Sequence, residues 1–460
     1  MRWDAANDPV IADPSLIRDV ASLPTEGAVV TSPWPGWYWP TAADSINDRW
    51  NPGAPSPAEK VELAFGEPGF AHAVSSKYGV LAHASEPVCA SDAQCAAGAI
   101  CARPRGAWPG SSGRCIPGWW GIDHGWAAAT ILEPAPKSAV QQAGQTFDVS
   151  DIEALVSLMY TRALAINFLG KRSNAVVIAA DLQGSPLDPV DRDIDAGALH
   201  VVLANRVGLR KTGVVIDREI DEKVCNVPVR SFRVTNTFMG QLAEITEPMA
   251  TRALGLDLAL QVLLGPISLA HDERRSGSLT AVIDGEYAVG TSGTGDVDLY
   301  VKIGRPASEN DADCIGRGGD SFERCRLHAT VGDVIHWTAV GYQASSSVQV
   351  WIGVPSGIAP TYTINPDAAR FFLVELDLDW VSGAEPSSAA RPVDQYTRTD
   401  QLQYVLEADA TGAIIGGEWI GTSLRHHPDF LWWPQSVPQN ASFRGLTYAW
   451  IHSLLLESSA

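Results

Sequence analysis

At 460 residues the chain is too long for one ordinary core, so two or three domains are expected. Hydrophobic residues make up 45% of it, with 41 Gly and 30 Pro, which suits a folded, loop-rich globular protein. No window nears the roughly 18 consecutive apolar residues of a membrane span, and a formal net charge of −20 excludes nucleic acid and anionic membrane surfaces, since phosphate binding needs clustered Lys and Arg.

Residues 1–30 are acidic and punctuated by Pro, and read as an N-terminal arm, ill-packed, leading into the fold. Met1-Arg-Trp-Asp opens without an apolar h-region, so any signal peptide is expected to have been removed. Trp34-Pro-Gly-Trp-Tyr-Trp-Pro40 is too aromatic for a linker and should pack on a neighbour; Asp44-Ser-Ile-Asn47 follows, then a helix at Ala58–Phe65. Residues 86–117 form a Ser/Ala/Gly/Pro-rich insertion that cannot pack a core, yet hold Cys89, Cys95, Cys101 and Cys115. Gaps of five, five and thirteen residues lack the short step of a zinc site, so disulfides are expected and no metal. The preferred pairing is 89–101 with 95–115, and Cys314 pairs with Cys325 around a second Gly-rich loop. Disulfides imply an oxidising, extracytoplasmic compartment, and Cys225 is the odd one out.

The stretch from Cys115 to Leu132 organises the reading. Gly118 and Gly121 read as a turn, and Ala127–Leu132 as the first turns of a buried helix. Asp123 then stands at or near a helix N-terminus, where unpaired N–H groups and the macrodipole favour negative charge. A cysteine there would have its thiolate stabilised; an aspartate is also a common N-cap. Sixteen Trp fall largely in clusters (34/37/39, 119/120/126, 432/433) that serve either as core or as the walls of a cleft. Trp119, Trp120, Trp126 and His124 are the expected walls of a substrate site.

Apolar residues at 152, 155, 156 and 159 predict an amphipathic helix over Asp151–Tyr160, and Asn174–Asp181 predicts a short strand. Ala198–Asn205 and Gly213–Asp217 read as paired strands joined by a hairpin-length 206–212. That pairing would set His200 beside Asp217 on one face. Residues 251–264 look helical. From 278 to 354, alternating strands with Gly turns predict a small all-β sandwich. Strands resume at 371–380, 404–409 and 416–420, and 446–457 reads as a helix.

Several of these segments resemble the transglutaminase elicitor family of oomycetes and bacteria: Trp34-Pro-Gly-Trp-Tyr-Trp-Pro-Thr with Asp44-Ser-Ile-Asn, Gly118-Trp-Trp-Gly-Ile-Asp-His-Gly-Trp-Ala-Ala-Ala, Leu199-His-Val-Val-Leu-Ala-Asn, Val215-Ile-Asp with Asn226-Val-Pro-Val-Arg, and Ile414-Ile-Gly-Gly-Glu-Trp with His427-Pro-Asp-Phe-Leu-Trp. The resemblance covers roughly 30–270 and 365–455. It implies an α+β fold with a papain/transglutaminase-like core and added strands, organised as the arm (1–30), a core (31–270, with the 86–117 insertion), the sandwich (278–354) and a C-terminal part of the main fold (365–460). The sandwich, with Gly295-Asp-Val-Asp-Leu-Tyr-Val, is similar to a bacterial pre-peptidase C-terminal domain inserted in the main chain.

Family members use a thiol nucleophile assisted by His and Asp to transfer a glutamine acyl group to an amine. The resemblance places Asp123, His200 and Asp217 in those seats, with Asp in place of the thiol; Cys225 stands where it implies Trp. The primary expectation is therefore a secreted, transglutaminase-like protein acting on acyl or amide groups of proteins or peptides, as acyltransferase or amidohydrolase. The alternatives are a carboxylate-based glycosidase, which needs a second acid, and a non-catalytic protein that binds protein or polysaccharide. No cofactor is expected, and a monomer is.

Overall fold

The computed structural model describes residue 3 and residues 5–108, 110–173, 193–218, 222–255, 258–355, 365–424 and 426–460. The strand expected at Asn174–Asp181 lies outside the described residues. Two compact units divide the chain. Among the described residues, one comprises those within 3–173, 193–244 and 372–460, and the other comprises those within 245–371.

The larger unit is a sheet with helices on both faces. Helix α1 (Pro57–Phe65) starts where its sequence says it should: Ser56 and Glu59 form a capping box, Pro57 occupies the first turn, and Gly66 ends it at φ 64°. Then come α2 (Phe70–Tyr78), α3 (Asp123–Leu132), α4 (Val149–Arg162) and β1 (Ile166–Gly170). Next are α5 (Ala196–Val202), which runs on as a π-turn over Leu203–Leu209, β2 (Val215–Asp217) and β3 (Asn226–Val234). After the second unit follow β4 (Arg370–Val381), β5 (Thr397–Ala408), β6 (Ile414–Trp419), β7 (Phe430–Pro434) and α6 (Tyr448–Ser459). The strand order is β6-β5-β4-β3-β2-β7-β1.

Successive strand residues point to opposite faces, and the two cores follow that alternation. Val215, Phe430 and Trp432 pack with Val61, Ala127, Leu155 and Ile451 from α1, α3, α4 and α6. Their neighbours Ile216, Val227 and Leu431 pack with Leu199 and Val202 of α5 on the other face. Helices α3 and α4 approach closely because position 125 is glycine: a Cβ there would lie 2.2 Å from Thr161 Oγ1 and 2.3 Å from Ser157 O.

Three sequence expectations are corrected. Ala198–Asn205 is helical, since Asp195 caps the run by accepting from the Gly197 and Ala198 N–H groups and the run is buried all round. An apolar run buried on every side carries no period to separate helix from strand. Residues 251–264 are not one helix: Glu247–Ala253 is helical and Leu258–Leu269 is a strand. The described residues among the first thirty are packed, not a loose arm. Leu16 and Leu23 are buried, Asn205 Oδ1 accepts from the Ile17 N–H at 2.8 Å, and Glu26–Ala28 pairs with β3.

The smaller unit is a β-sandwich that begins earlier than residue 278. One sheet holds Leu258–Leu269, Ser346–Pro355, Gly285–Thr294 and Arg324–Ala329; the other holds Arg274–Thr280, Val334–Gly341, Val297–Ile303 and Cys314–Gly316. Val289, Leu299, Trp337 and Val350 fill the space between them. The Cys314–Cys325 disulfide, with Cα atoms 5.6 Å apart, joins a strand of one sheet to a strand of the other. In the larger unit Cys89–Cys101 and Cys95–Cys115 staple the 86–117 insertion in the preferred pairing.

Candidate functional site

The start of α3 is held by the aromatic segment upstream of it. Tyr38 OH donates to Gly118 O at 2.9 Å, Ile122 N–H to Tyr38 O at 2.8 Å, and Thr41 N–H to Trp120 O at 2.8 Å. Gly121 lies so close beneath this segment that a Cβ would sit 2.4 Å from Tyr38 O. Trp34 and Trp39 are core residues, so this segment packs as its composition demanded.

Asp123 is the first helical residue, and its carboxylate bridges its own helix and the sheet. The Asn226 backbone N–H and Nδ2 donate to Asp123 Oδ2 at 3.0 and 3.1 Å, and the His124 N–H donates to Oδ1 at 2.8 Å. Asn226 Oδ1 in turn accepts from Trp432 Nε1 at 2.8 Å. A polar chain Trp432–Asn226–Asp123 thus links β7, β3 and α3. Its members are an indole, a carboxamide and a carboxylate; the first two neither take nor release protons near neutral pH.

The chain lies beside a cavity of about 520 Å³. Trp119, Trp120, Phe168, Phe430 and Trp432 supply aromatic wall, while Asp123, His124, Asn226, His83 and Arg172 supply polar groups. His124 is 41% exposed, with Nδ1 3.7 Å from Asp123 Oδ1. His83 lies against Trp120 with ring centroids 4.6 Å apart, and burial pulls its pKa below the usual imidazole value, with Glu86 opposing. Arg172 sets its guanidinium 5.8 Å from the Trp119 ring centroid.

The sequence-predicted site residues separate. Asp123, Trp119, Trp120 and His124 line the cavity. Trp126 does not: it is core, with Nε1 donating to Trp34 O at 3.3 Å. Asp217 is the cross-strand partner of Asn226, buried, with Oδ1 accepting from the Cys225 N–H at 2.7 Å. His200 belongs to α5, whose residues pack in the core on the sheet face opposite α3. Its Nδ1 bonds Tyr404 OH at 2.8 Å, its Nε2 is buried without a partner among the described residues, and burial pushes its pKa down to about 4. The structure therefore brings Asp123 near the Asp217 strand, through Asn226, and leaves His200 apart.

Sequence reasoning missed Asn226, Trp432, His83 and Phe168. Asn226 had a signal, a polar residue immediately ahead of the apolar run Val227-Pro-Val229 in a motif that carries the family resemblance. Trp432 had its tryptophan cluster; the other two had none. A second polar cluster lies next to β7, where His427 Nε2 bonds Asp193 Oδ2 at 2.8 Å and Asp429 Oδ2 accepts from the Ser173 N–H at 3.1 Å. Burial, followed by the charge of Asp193, pushes the Asp429 carboxyl up to about 9.

The family assignment follows from a match over residues 11–250 and 357–460 to the model described as Transglutaminase elicitor. The chain belongs to the transglutaminase elicitor family. Residues 251–356, which contain nearly the whole sandwich, lie outside that match. The crystal structure of the GP42 transglutaminase from Phytophthora sojae is similar at 26% identity and a TM-score of 0.65, over 100% of this chain and 99% of that one. Two partial likenesses at 11% identity have TM-scores of 0.17 and 0.15 and carry no argument. One is the Aeromonas hydrophila PliG, a periplasmic lysozyme inhibitor, covering 22% of this chain and 87% of that one. The other is the CBM36-1 domain of a xylanase from the hindgut metagenome of Trinervitermes trinervoides, covering 25% and 93%. No curated protein matches. The transglutaminase-like fold is thus common to the chain and the GP42 structure, and no described helix is long and apolar enough to cross a membrane.

Proposed function

We propose that this member of the family is a secreted binding protein: the cavity at the start of α3 holds a protein or peptide segment, and the thiol chemistry of the family is not performed there. The observation that carries the reading is the Trp432–Asn226–Asp123 chain. Acyl transfer through a thioester needs a thiolate with an imidazole in line to move its proton. Here a carboxylate stands at the helix start and a carboxamide stands next to it. A carboxylate whose oxygens are occupied by three N–H donors has no free lone pair aimed at a substrate and is a poor nucleophile. An anhydride formed from it would be lost to water before an amine arrived. The glycosidase alternative lacks support, because Asp123 is the one carboxylate among the described residues lining the cavity. Secretion rests on the three disulfides, which persist in oxidising compartments.

One observation favours a second reading. His124 stands partly exposed in the cavity with Nδ1 3.7 Å from Asp123 Oδ1, longer than a hydrogen bond and shortened to one by a small rotation of either side chain. In that reading the protein hydrolyses an amide with water as nucleophile, and His124→Gln abolishes the activity. Mass spectrometry of a glutamine peptide incubated with the protein and a primary amine separates the readings. The binding protein returns the peptide unchanged. Amine incorporation would contradict the proposal, and deamidation that disappears in His124→Gln would establish the second reading in its place.

A further inference from the structure

We propose that the rim of the disulfide-stapled insertion is a second binding site, at which Trp108, Asp48 and Arg105 hold a pyranose ring of a neutral glycan. The inference stands on residues outside the α3 cavity and does not depend on what that cavity binds.

Trp108 is 83% exposed, and of the sixteen tryptophans it alone is mostly in solvent. Among the described residues its indole meets no ring, cation or hydrogen-bond partner. An indole is the largest apolar surface a residue can give to a core, and here the fold leaves it out. The loop that carries it is nonetheless fixed. Cys89–Cys101 and Cys95–Cys115 tie the insertion at its base. Arg103 Nε donates to Ser111 O at 2.7 Å and its Nη2 to Ala90 O at 2.8 Å, while the Ser111 N–H donates to Trp108 O at 3.0 Å. A rigid surface of this kind gives up little freedom when a ligand stacks on it.

The indole lines a cavity of about 310 Å³ between this loop and the turns at Thr41–Ala43 and Ser45–Asn47. Asp44 joins the two walls. Its Oδ2 accepts from the Arg105 N–H at 2.8 Å and from Asn47 Nδ2 at 3.1 Å, and its Oδ1 from the Val80 N–H at 2.9 Å. That carboxylate is spent, but the next one along is not. Among the described residues the Asp48 carboxylate has no hydrogen bond or ion pair; burial raises its pKa, with the charge of nearby Arg105 opposing. The Arg105 guanidinium is also unspent, with Nε 3.6 Å from Glu59 Oε1, longer than a hydrogen bond. Asn47 lines the same cavity, 1% exposed, and its Oδ1 is buried without a partner.

These features select the ligand class. A pyranose carries C–H groups on its face and hydroxyls round its edge, so it suits an aromatic plane flanked by a carboxylate and a guanidinium that each take hydroxyl hydrogen bonds. Two aspartates and two arginines line the cavity, so no net charge is asked of the ligand. Trp108 is the one large apolar side chain among the described residues lining it, which leaves no apolar pocket for a peptide anchor.

The test uses the whole protein with ¹⁵N-labelled tryptophan, titrated with cellohexaose, laminarihexaose and chitohexaose and read from the indole N–H signals. At least one probe should shift the Trp108 signal, assigned by its loss in Trp108→Ala, with a Kd below about 1 mM. By calorimetry, Trp108→Ala should weaken that probe roughly tenfold or more, Trp108→Phe by less, and Asp48→Asn by roughly 3- to 10-fold, with urea midpoints unchanged in all three. Silence from all three probes, or binding that Trp108→Ala leaves as tight, would overturn the site. Shifts confined to Trp119 and Trp120 would overturn it too, since the glycan would then sit in the α3 cavity. Tighter binding of hexagalacturonate than of any neutral probe would overturn the neutral class.

Discussion

Helices α3 and α5 pack on opposite faces of one sheet and begin alike, each with an aspartate ahead of an Ala- and Gly-rich apolar run. They differ in where that aspartate spends its oxygens. Asp195 serves its own helix, accepting from the Gly197 and Ala198 N–H groups, and also from Trp3 Nε1 at 2.8 Å; it is a structural cap. Asp123 spends one oxygen on its own helix, accepting from the His124 N–H, and the other on Asn226 of β3, and it lines a cavity. A helix-start acid turned inward on its helix marks stability, and one turned outward to another element and to open space marks a site. The face opposite the cavity holds the histidine that sequence assigned to the site, which is why His200 belongs with the structural half of the contrast.

The largest effect should come from Asp195→Ala. It removes a cap and leaves buried donors without an acceptor, a loss of roughly 2–4 kcal/mol in the urea unfolding free energy. A loss no greater than that of a surface substitution would erase the distinction between the two aspartates.

The pH dependence of stability should also come from the α5 side. Burial, with the charge of Glu418, pushes Asp195 up to about 7, and burial pushes His200 down to about 4. A raised acid is protonated in the fold, so its contribution is full below its unfolded pKa near 4 and is lost as pH rises toward 7. A depressed imidazole contributes above its unfolded pKa of roughly 6.5 and loses that as pH falls toward 4. Between pH 4 and 6.5 the two oppose each other. Relative to the wild type, Asp195→Asn should make the slope of stability against pH in that window more positive by roughly 1 kcal/mol per unit, and His200→Gln should make it more negative by a similar amount. Urea midpoints at half-unit pH steps decide it; parallel slopes in the two variants would refute the assignment.

Asp123→Ala should cost the fold least, under about 1 kcal/mol, because the Asn226 donors it strands stand beside a cavity open to water. A loss of several kcal/mol would move Asp123 into the structural class.

Much of this was legible in the chain. The capping signal of α1, the 3.6-residue period of α4, the loop-confined cysteines and the glycine-to-helix turn before Asp123 are local features, and local chemistry fixes them. Ala198–Asn205 reads as a strand because it is apolar on all sides and carries no period, and the aspartate that caps it as a helix, Asp195, lies outside that run. The early start of the sandwich was hidden for a similar reason, since Leu258–Leu264 fits a helix or a strand equally. Asn226 and Phe168 became site residues only through register: β3 brings Asn226 opposite Asp217 and within reach of Asp123, and β7 sets Trp432 beside Phe168. Cross-strand register joins residues far apart in the chain, and no pattern within either segment reveals it.

The central claim is that the site at α3 lacks a thiol and carries a carboxamide, Asn226, where an imidazole in line with that thiol is required, with neither His124 nor His83 a substitute for it. The direct measurement is amine incorporation into a glutamine peptide by the wild type, Asp123→Cys, and Asp123→Cys combined with Asn226→His. The account predicts no incorporation by the wild type, none above background by Asp123→Cys alone, and a clear gain in the double variant, since general-base assistance is worth roughly 10²–10⁴ in rate even before the site is optimised. Incorporation by the wild type, or by Asp123→Cys as fast as by the double variant, would contradict it, because the missing imidazole would then be supplied from elsewhere.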